Sequence, residues 1–371
     1  MTQPILIDSL AGEPSALLVE GDRITALNAD ARTAAGARRL DASGLRAAPG
    51  FIELQVNGIG EADITSDPAA VWRVAERLPR HGVTSFLATV VSSPPGTVEL
   101  VLSALAGGPG SAPGAVPLGV HAEGPFISAT RRGAHAAEHL RDPDPAELDA
   151  WLERGVRMVT LAPERPGGLD AIRRIVAAAG IAAMGHTDAD AETTAAAIEA
   201  GVRYATHLFN AMPPFHHRET GAVGVLLDDR RVTLGLVGDG VHLDPLTLRL
   251  VARLARGRIS LVSDLVADRL GGTALQTGAV GGRHLTDGTL AGGLRGLDHV
   301  VRTYASATGS VEEALEAVTA VPAQLLGLDD GRGTLRTGGI ADIVLLDEAL
   351  GVTATIVAGR PAFLSDRLAW P

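Results

Sequence analysis

The chain of 371 residues contains no lysine; all 32 of its basic residues are arginine. That absence excludes Schiff-base chemistry, a catalytic lysine and any metal centre bridged by a carboxylated lysine. Cysteine is missing as well, so disulfides, thiolate metal sites and cysteine nucleophiles are all ruled out. A metal, if one is held, must sit on His, Asp and Glu. Aromatic residues make up only 3% of the chain against 46% hydrophobic. The core is therefore aliphatic, which favours a parallel-stranded α/β protein over an aromatic-rich β-sandwich. The net charge of −11 argues against a nucleic-acid or anionic-membrane partner, since either requires a basic face. No apolar run reaches the ~18 residues of a membrane span, and no basic segment precedes a signal-like apolar stretch. A cytoplasmic location is the expectation.

The length suits one α/β barrel carrying a modest second domain. Residues 4–48 read as short strands (5–8, 16–20, 23–27 and 39–41) broken at Gly12, Gly21 and Gly44. Strand-like runs return at 338–346 and 353–357, before the turn at Gly359-Arg360-Pro361. The simplest arrangement puts 1–48 and 332–371 in one small β-sandwich, with 49–331 inserted as a barrel domain. Within the insertion, apolar runs alternate with helical segments, the signature of βα units. Eight strands are expected, at 50–56, 84–91, 117–123, 158–162, 181–186, 204–208, 232–237 and 259–264. Eight is the number that closes a (β/α)8 TIM barrel. Helices are expected at 69–81, 146–155, 169–179, 191–201 and 245–255. The Gly- and Thr-rich stretch 271–296 is expected to form a loop with a hairpin over the barrel mouth.

Barrel enzymes gather their active sites at the C-terminal ends of the strands, so polar residues that close apolar runs are the first candidates. Here the runs end in His121-Ala122-Glu123-Gly124-Pro125, Gly185-His186-Thr187-Asp188, Thr206-His207-Leu208-Phe209-Asn210 and Ser263-Asp264. Glu123, His186 and His207 offer two imidazoles and a carboxylate, a set that suits one divalent metal and leaves a position for water. Zinc is the first expectation, and iron, cobalt or manganese are compatible. Such an ion lowers the pKa of bound water to about 7 and polarises a carbonyl. Asp264 is placed to take the proton and return it to a leaving amine. Taken singly, each residue has a plainer reading as a hydrogen-bonding or capping group; their joint position on one rim favours the metal. His81, His139, His284 and His299 fall in helix ends or loops and read as structural, and His216 and His217 as loop residues.

The segments Pro49-Gly50-Phe51-Ile52-Glu53-Leu54-Gln55-Val56-Asn57-Gly58, His121-Ala122-Glu123-Gly124-Pro125-Phe126, Arg132-Gly133-Ala134-His135, Val159-Thr160-Leu161-Ala162-Pro163-Glu164, Gly185-His186-Thr187, Thr206-His207-Leu208-Phe209-Asn210-Ala211-Met212, Asp239-Gly240-Val241-His242 and Val262-Ser263-Asp264 resemble the N-acetylglucosamine-6-phosphate deacetylase family, in the family's order and over nearly the whole chain. The resemblance implies hydrolysis of the acetamide of N-acetylglucosamine 6-phosphate to glucosamine 6-phosphate and acetate. It implies Glu123, His186 and His207 as metal ligands and Asp264 as general acid/base. His135 would contact the substrate near its carbonyl and sugar hydroxyls. Backbone amides of Asn210 and Ala211 and the ring of His242 would meet the phosphate. Arg218 would reach it from the neighbouring subunit, making a homodimer the working unit.

Plainer readings exist for two of these: Arg218 as an ordinary ion-pairing residue, and His242 as a neighbour of the helix starting at Pro245. Gln55 and Asn57 stand where many amidohydrolases carry His-x-His. Amides are poor zinc ligands, so a mononuclear centre is expected. Two departures from the family pattern, Ala122 in place of Leu and Leu265-Val266-Ala267-Asp268 in place of Ala-Met-Ala, are expected beside the pocket. They leave a galactosamine epimer or another acetamido sugar phosphate open. Hydrolysis of another N-acyl substrate would leave His242 and Arg218 without a phosphate to meet. An inactive barrel kept for binding or assembly would not need Glu123, His186, His207 and Asp264 together.

Overall fold

Strands that are apolar on both faces must be covered on both faces, and the sequence supplies the cover as amphipathic helices between them. The computed structural model describes residues 3–30, 34–108 and 114–371. Eight strands run in parallel order around a barrel: Phe51–Val56, Val83–Val91, Val116–Glu123, Val156–Leu161, Ile181–Met184, Tyr204–Ala205, Thr233–Val237 and Ile259–Val262. Helices that include Ala70–Arg77, Pro145–Arg154, Gly168–Ala177, Ala191–Ala200 and Pro245–Leu254 bury their apolar stripes against the sheet.

The expected barrel is present, and three of its strands stop two or more residues early. Those expected at 181–186, 204–208 and 259–264 end at Met184, Ala205 and Val262. His186, His207 and Asp264 take φ values of 48°, 29° and 46°, left-handed geometry that no strand can contain. The helix expected at 69–81 gives way to a 3-10 turn at Leu78–His81, where Pro79 has no N–H to continue the α-helical ladder.

The seam between the eighth and first strands is closed in two ways. Near the mouth, Val56 bridges Leu265 and the Asn57 N–H donates to the Leu265 carbonyl at 2.8 Å. Lower down, residues 317 and 318 slip into the gap, accepting from the N–H groups of Leu261 and Ile52 at 2.9 and 2.8 Å. The first strand also carries a bulge. Glu53 pairs with Phe86 and Val56 with Ala88, so three steps on one strand match two on the other. The carboxylate of Glu53 accepts from the N–H of Gln55 within the bulge and from the N–H of Ser263 across the seam.

Both chain ends form two four-stranded sheets. One contains Arg23–Leu27, Leu17–Glu20, Ile5–Asp8 and Arg38–Asp41; the other contains Arg360–Leu364, Val352–Val357, Ile343–Leu346 and Arg46–Pro49. Ile7, Leu17, Ile24 and Leu40 of the first pack with Ile343, Leu345 and Ile356 of the second in one apolar cluster. This is the terminal β-sandwich that the alternating pattern implied. The stretch expected to cover the barrel mouth forms short hairpin strands at Gln276–Thr277, Arg283–His284 and Leu290–Gly292. No helix among the described residues is long and apolar enough to cross a membrane.

Glu53 is fully buried, and desolvation raises its pKa to about 7 against the partial offset of its hydrogen bonds. The folded state therefore holds this proton more tightly than the unfolded chain, and stability must fall as pH rises through 7, by about 3 kcal/mol in total. Glu53→Gln removes the titration. Denaturant melts should show the wild type losing stability between about pH 4.5 and 7.5, and the variant losing distinctly less. Equal slopes for the two proteins would contradict the assignment.

Candidate metal centre and active site

Strand alternation selects which side chains face the barrel interior. In the third strand Ala122 is packed in the large core cluster, and its neighbour Glu123 points to the mouth. The fifth, sixth and eighth strands deliver His186, His207 and Asp264 just beyond their ends. Those three residues, with Phe209 at 78° and Ala211 at 52°, are among the ten non-glycine residues with positive φ in the described chain. Strained backbone of this kind persists where the surroundings over-determine it, commonly at functional sites.

The ligating atoms of Glu123, His186 and His207 lie within 4.8 Å of one another, and all three residues are buried. Glu123 Oε1 is 2.9 Å from His207 Nε2 and 3.3 Å from His186 Nε2, and the two nitrogens are 3.0 Å apart. His186 donates its Nδ1 proton to the carbonyl of Arg131, 2.9 Å away, so Nε2 is the ring nitrogen left to bind a cation. This is the support from behind that metal-bound histidines commonly have. Burial alone would raise the pKa of Glu123, but hydrogen bonds and charge from His186 and His207 hold it well below the ordinary value. An ionised carboxylate oxygen and two imidazole nitrogens turned on one point, which give up any proton as a cation binds, are the donor set of a divalent ion, so the residues present fit the metal.

Asp264 stands beside this group. Burial, then the charge of Glu123, raise its pKa well above the usual range, and the hydrogen bond from Asn57 works in the opposite direction. Gln55 Nε2 donates to Glu123 Oε1 at 2.8 Å and to Asp264 Oδ1 at 3.1 Å; Asn57 Nδ2 donates to the same Oδ1 at 3.0 Å. The other oxygen, Oδ2, is 3.7 Å from His242 Nε2. Asp239 in turn holds His242 Nδ1 at 2.9 Å. The helix Pro245–Leu254 is capped by Asp244, so His242 serves no cap and borders the cavity.

His135 accepts the N–H of Ser92 at its Nδ1, which leaves the ring proton on Nε2. Burial, then the neighbouring His186, lower its pKa to about 3. It is a neutral hydrogen-bond donor beside the metal ligands. Asn57, Glu123, His135, His186, His207, His242 and Asp264 line a cavity of about 320 Å³, walled on one side by Leu270 and by Thr289 to Gly292. That volume is within the range of small-molecule sites.

Two expectations need correction. Ala122 and residues 265–268 do not border the cavity. Ala122 and Leu265 are packed in the core, and Asp268 pairs with Arg283. The N–H of Asn210 is spent on the carbonyl of His207 at 2.9 Å, whereas no such bond ties up that of Ala211. Arg218 lies away from the cluster, exposed, with Nη1 against His217 Nε2 at 2.8 Å. Sequence reasoning missed Ser92, although it too closes an apolar strand. It also missed Arg131, which lines the cavity and pairs with Asp188. His121, in a motif of its own, proves structural, bonded to the Leu54 carbonyl and to Thr160.

Residues 47–362 match the model of the amidohydrolase family, and the chain is an amidohydrolase. Bovine N-acetylglucosamine-6-phosphate deacetylase is 40% identical over 346 residues, covering 86% of this chain and 84% of its own. N-acetylgalactosamine-6-phosphate deacetylase of Escherichia coli O157:H7 is 34% identical, with 85% of this chain and 87% of its own covered. Among solved structures, a mutant of the Mycobacterium smegmatis N-acetyl-D-glucosamine-6-phosphate deacetylase in complex with N-acetyl-D-glucosamine-6-phosphate superposes with a TM-score of 0.87. It is 32% identical and covers 98% of this chain and 99% of its own. The chain belongs to the N-acetylglucosamine-6-phosphate deacetylase family.

Elemental analysis of the purified protein should find about one equivalent of divalent metal, and His186→Ala or His207→Ala should each reduce it below roughly a tenth. Full occupancy in both variants would remove these residues from the ligand set.

Proposed function

We propose that this chain hydrolyses the acetamide of N-acetylglucosamine 6-phosphate to glucosamine 6-phosphate and acetate. The observation that carries the reading is the buried convergence of Glu123, His186 and His207 beside Asp264, in a chain whose relatives over most of its length bear that activity in their names. Glu123, His186 and His207 would hold one divalent ion, zinc in the first instance, which when bound supplies Lewis acidity to a carbonyl oxygen and to a water. Asp264 takes a proton from the attacking water and gives it to the amide nitrogen as the C–N bond breaks. His135 donates Nε2–H to the acetyl oxygen as negative charge grows there.

His242, Ala211 and Asn210 form the phosphate end; the N–H and the side-chain amide of Asn210 both bond loop carbonyls in the free site, so one of them turns to the phosphate when it binds. Arg218 completes that end from the second copy in a homodimer, which its exposure and distance from its own cavity favour. The proposal includes a cytoplasmic location, where a charged sugar phosphate is retained, and a division of the chain into 1–48 with 332–371 and 49–331. A second reading has one specific observation in its favour: the 34% identity to an N-acetylgalactosamine-6-phosphate deacetylase makes the galactosamine epimer an alternative substrate.

Acetate release should be fastest on N-acetylglucosamine 6-phosphate, slower on its galactosamine epimer and slow on the unphosphorylated sugar. Equal rates with and without the phosphate would contradict the phosphate assignment. Asp264→Asn should keep its metal and lose at least ~10²-fold in kcat; an unchanged rate removes Asp264 from the chemistry. Arg218→Ala should raise KM for the phosphorylated sugar at least ~10-fold and leave KM for the unphosphorylated sugar unaltered. A parallel rise for both sugars would mean that Arg218 does not serve the phosphate.

A further inference from the structure

We infer that Gln55 and Asn57, braced by Glu53, are positioning residues that fix which oxygen of Asp264 faces the reacting group; this rests on the proton-transfer role proposed for Asp264. The bulge in the first barrel strand turns Val56 out into the helix-covered core and presents Gln55 and Asn57, on either side of it, to the same carboxylate. Both amides donate to Oδ1, at 3.1 and 3.0 Å. Neither donates to Oδ2, whose near neighbour is His242 at the cavity wall. Two donors on one oxygen fix the rotation of a carboxylate that would otherwise turn freely about its last bond.

Against the ionised Asp264 that accepts the proton, the amide orientation is fixed. With either amide flipped, its oxygen would face a carboxylate oxygen. In the orientation that results, Gln55 Oε1 and Asn57 Oδ1 are buried with no hydrogen-bond partner. Buried amides in a purely structural role normally satisfy both ends, so these two are arranged for the carboxylates at the expense of their own acceptors. Glu53 secures the backbone of the same residues, accepting from Gln55 N–H at 3.0 Å and from Ser263 N–H at 3.1 Å, one residue before Asp264. One short stretch thus holds both the main chain and the side chain of the proton carrier. Amides suit the task because they donate hydrogen bonds without carrying a titrating proton. They orient the carboxylate and do not exchange protons with it.

The test measures kcat, KM, bound metal and melting temperature for Gln55→Ala, Asn57→Ala and the isosteric Asn57→Asp, each also in the Asp264→Asn background. The inference predicts that each single variant loses about 10- to 100-fold in kcat, with KM within about threefold; metal content stays unchanged in the Asn57 variants, whose side chain bonds Asp264 and no metal ligand, and kcat for Gln55→Ala is taken per bound metal. In the Asp264→Asn background, Asn57→Ala should cost less than about twofold more, because the group it positions is gone. Unchanged kcat in the single variants would overturn the inference. So would a loss of kcat that tracks loss of metal, or one repeated in full in the Asp264→Asn background. An Asp264→Asn enzyme with full turnover would instead defeat the reading of Asp264 itself and take this inference with it.

Discussion

Two buried imidazole nitrogens 3.0 Å apart, both close to one carboxylate oxygen, are the constraint on which the rest of the site depends. Lone pairs at that distance repel unless a proton or a metal ion lies between them. The barrel must therefore hold Glu123, His186 and His207 against their own electrostatics. It does so with three separate strands, whose closure is a collective property of the sheet. Arg131 adds a local anchor through the Nδ1 proton of His186. Charge balance in the cavity follows from the same arrangement, since a divalent ion among the ligands would also offset the second buried carboxylate, Asp264.

Backbone strain and seam geometry carry this constraint into chemistry. Left-handed residues at 186, 207 and 264 turn side chains off the strand axis and over the mouth, and such conformations survive only in a scaffold rigid enough to impose them. The seam of the barrel is its least regular part, filled below by residues 317 and 318 and bulged above at Gln55. Asp264 emerges at that irregular place. The two amides that replace the imidazole ligands common elsewhere in amidohydrolases have their donors turned to carboxylates.

Much of this was legible in the sequence, for identifiable reasons. Apolar runs at a βα spacing gave eight strands because parallel strands buried on both faces tolerate little else. Glu123, His186, His207 and Asp264 were legible because each closes such a run. The strand ends at 184, 205 and 262 were not, because left-handed φ at histidine and aspartate leaves no mark in composition. The direction of Ala122 was legible and overlooked: alternation from Glu123, which faces the mouth, places its neighbour in the core. The hydrogen bond from Ser92 that fixes the His135 tautomer joins residues 43 positions apart, and only the folded chain brings them together. Glu53 read as part of a family segment, while its burial and its grip on Ser263 are properties of the seam.

The most direct test of the central claim is anomalous diffraction from crystals of the purified protein, collected on both sides of the absorption edge of the metal it carries. The account predicts a single strong anomalous peak per chain, within bonding distance of Glu123, His186 Nε2 and His207 Nε2. An ordered site in which these three side chains bracket no such peak, or a peak bound by other residues, would contradict it.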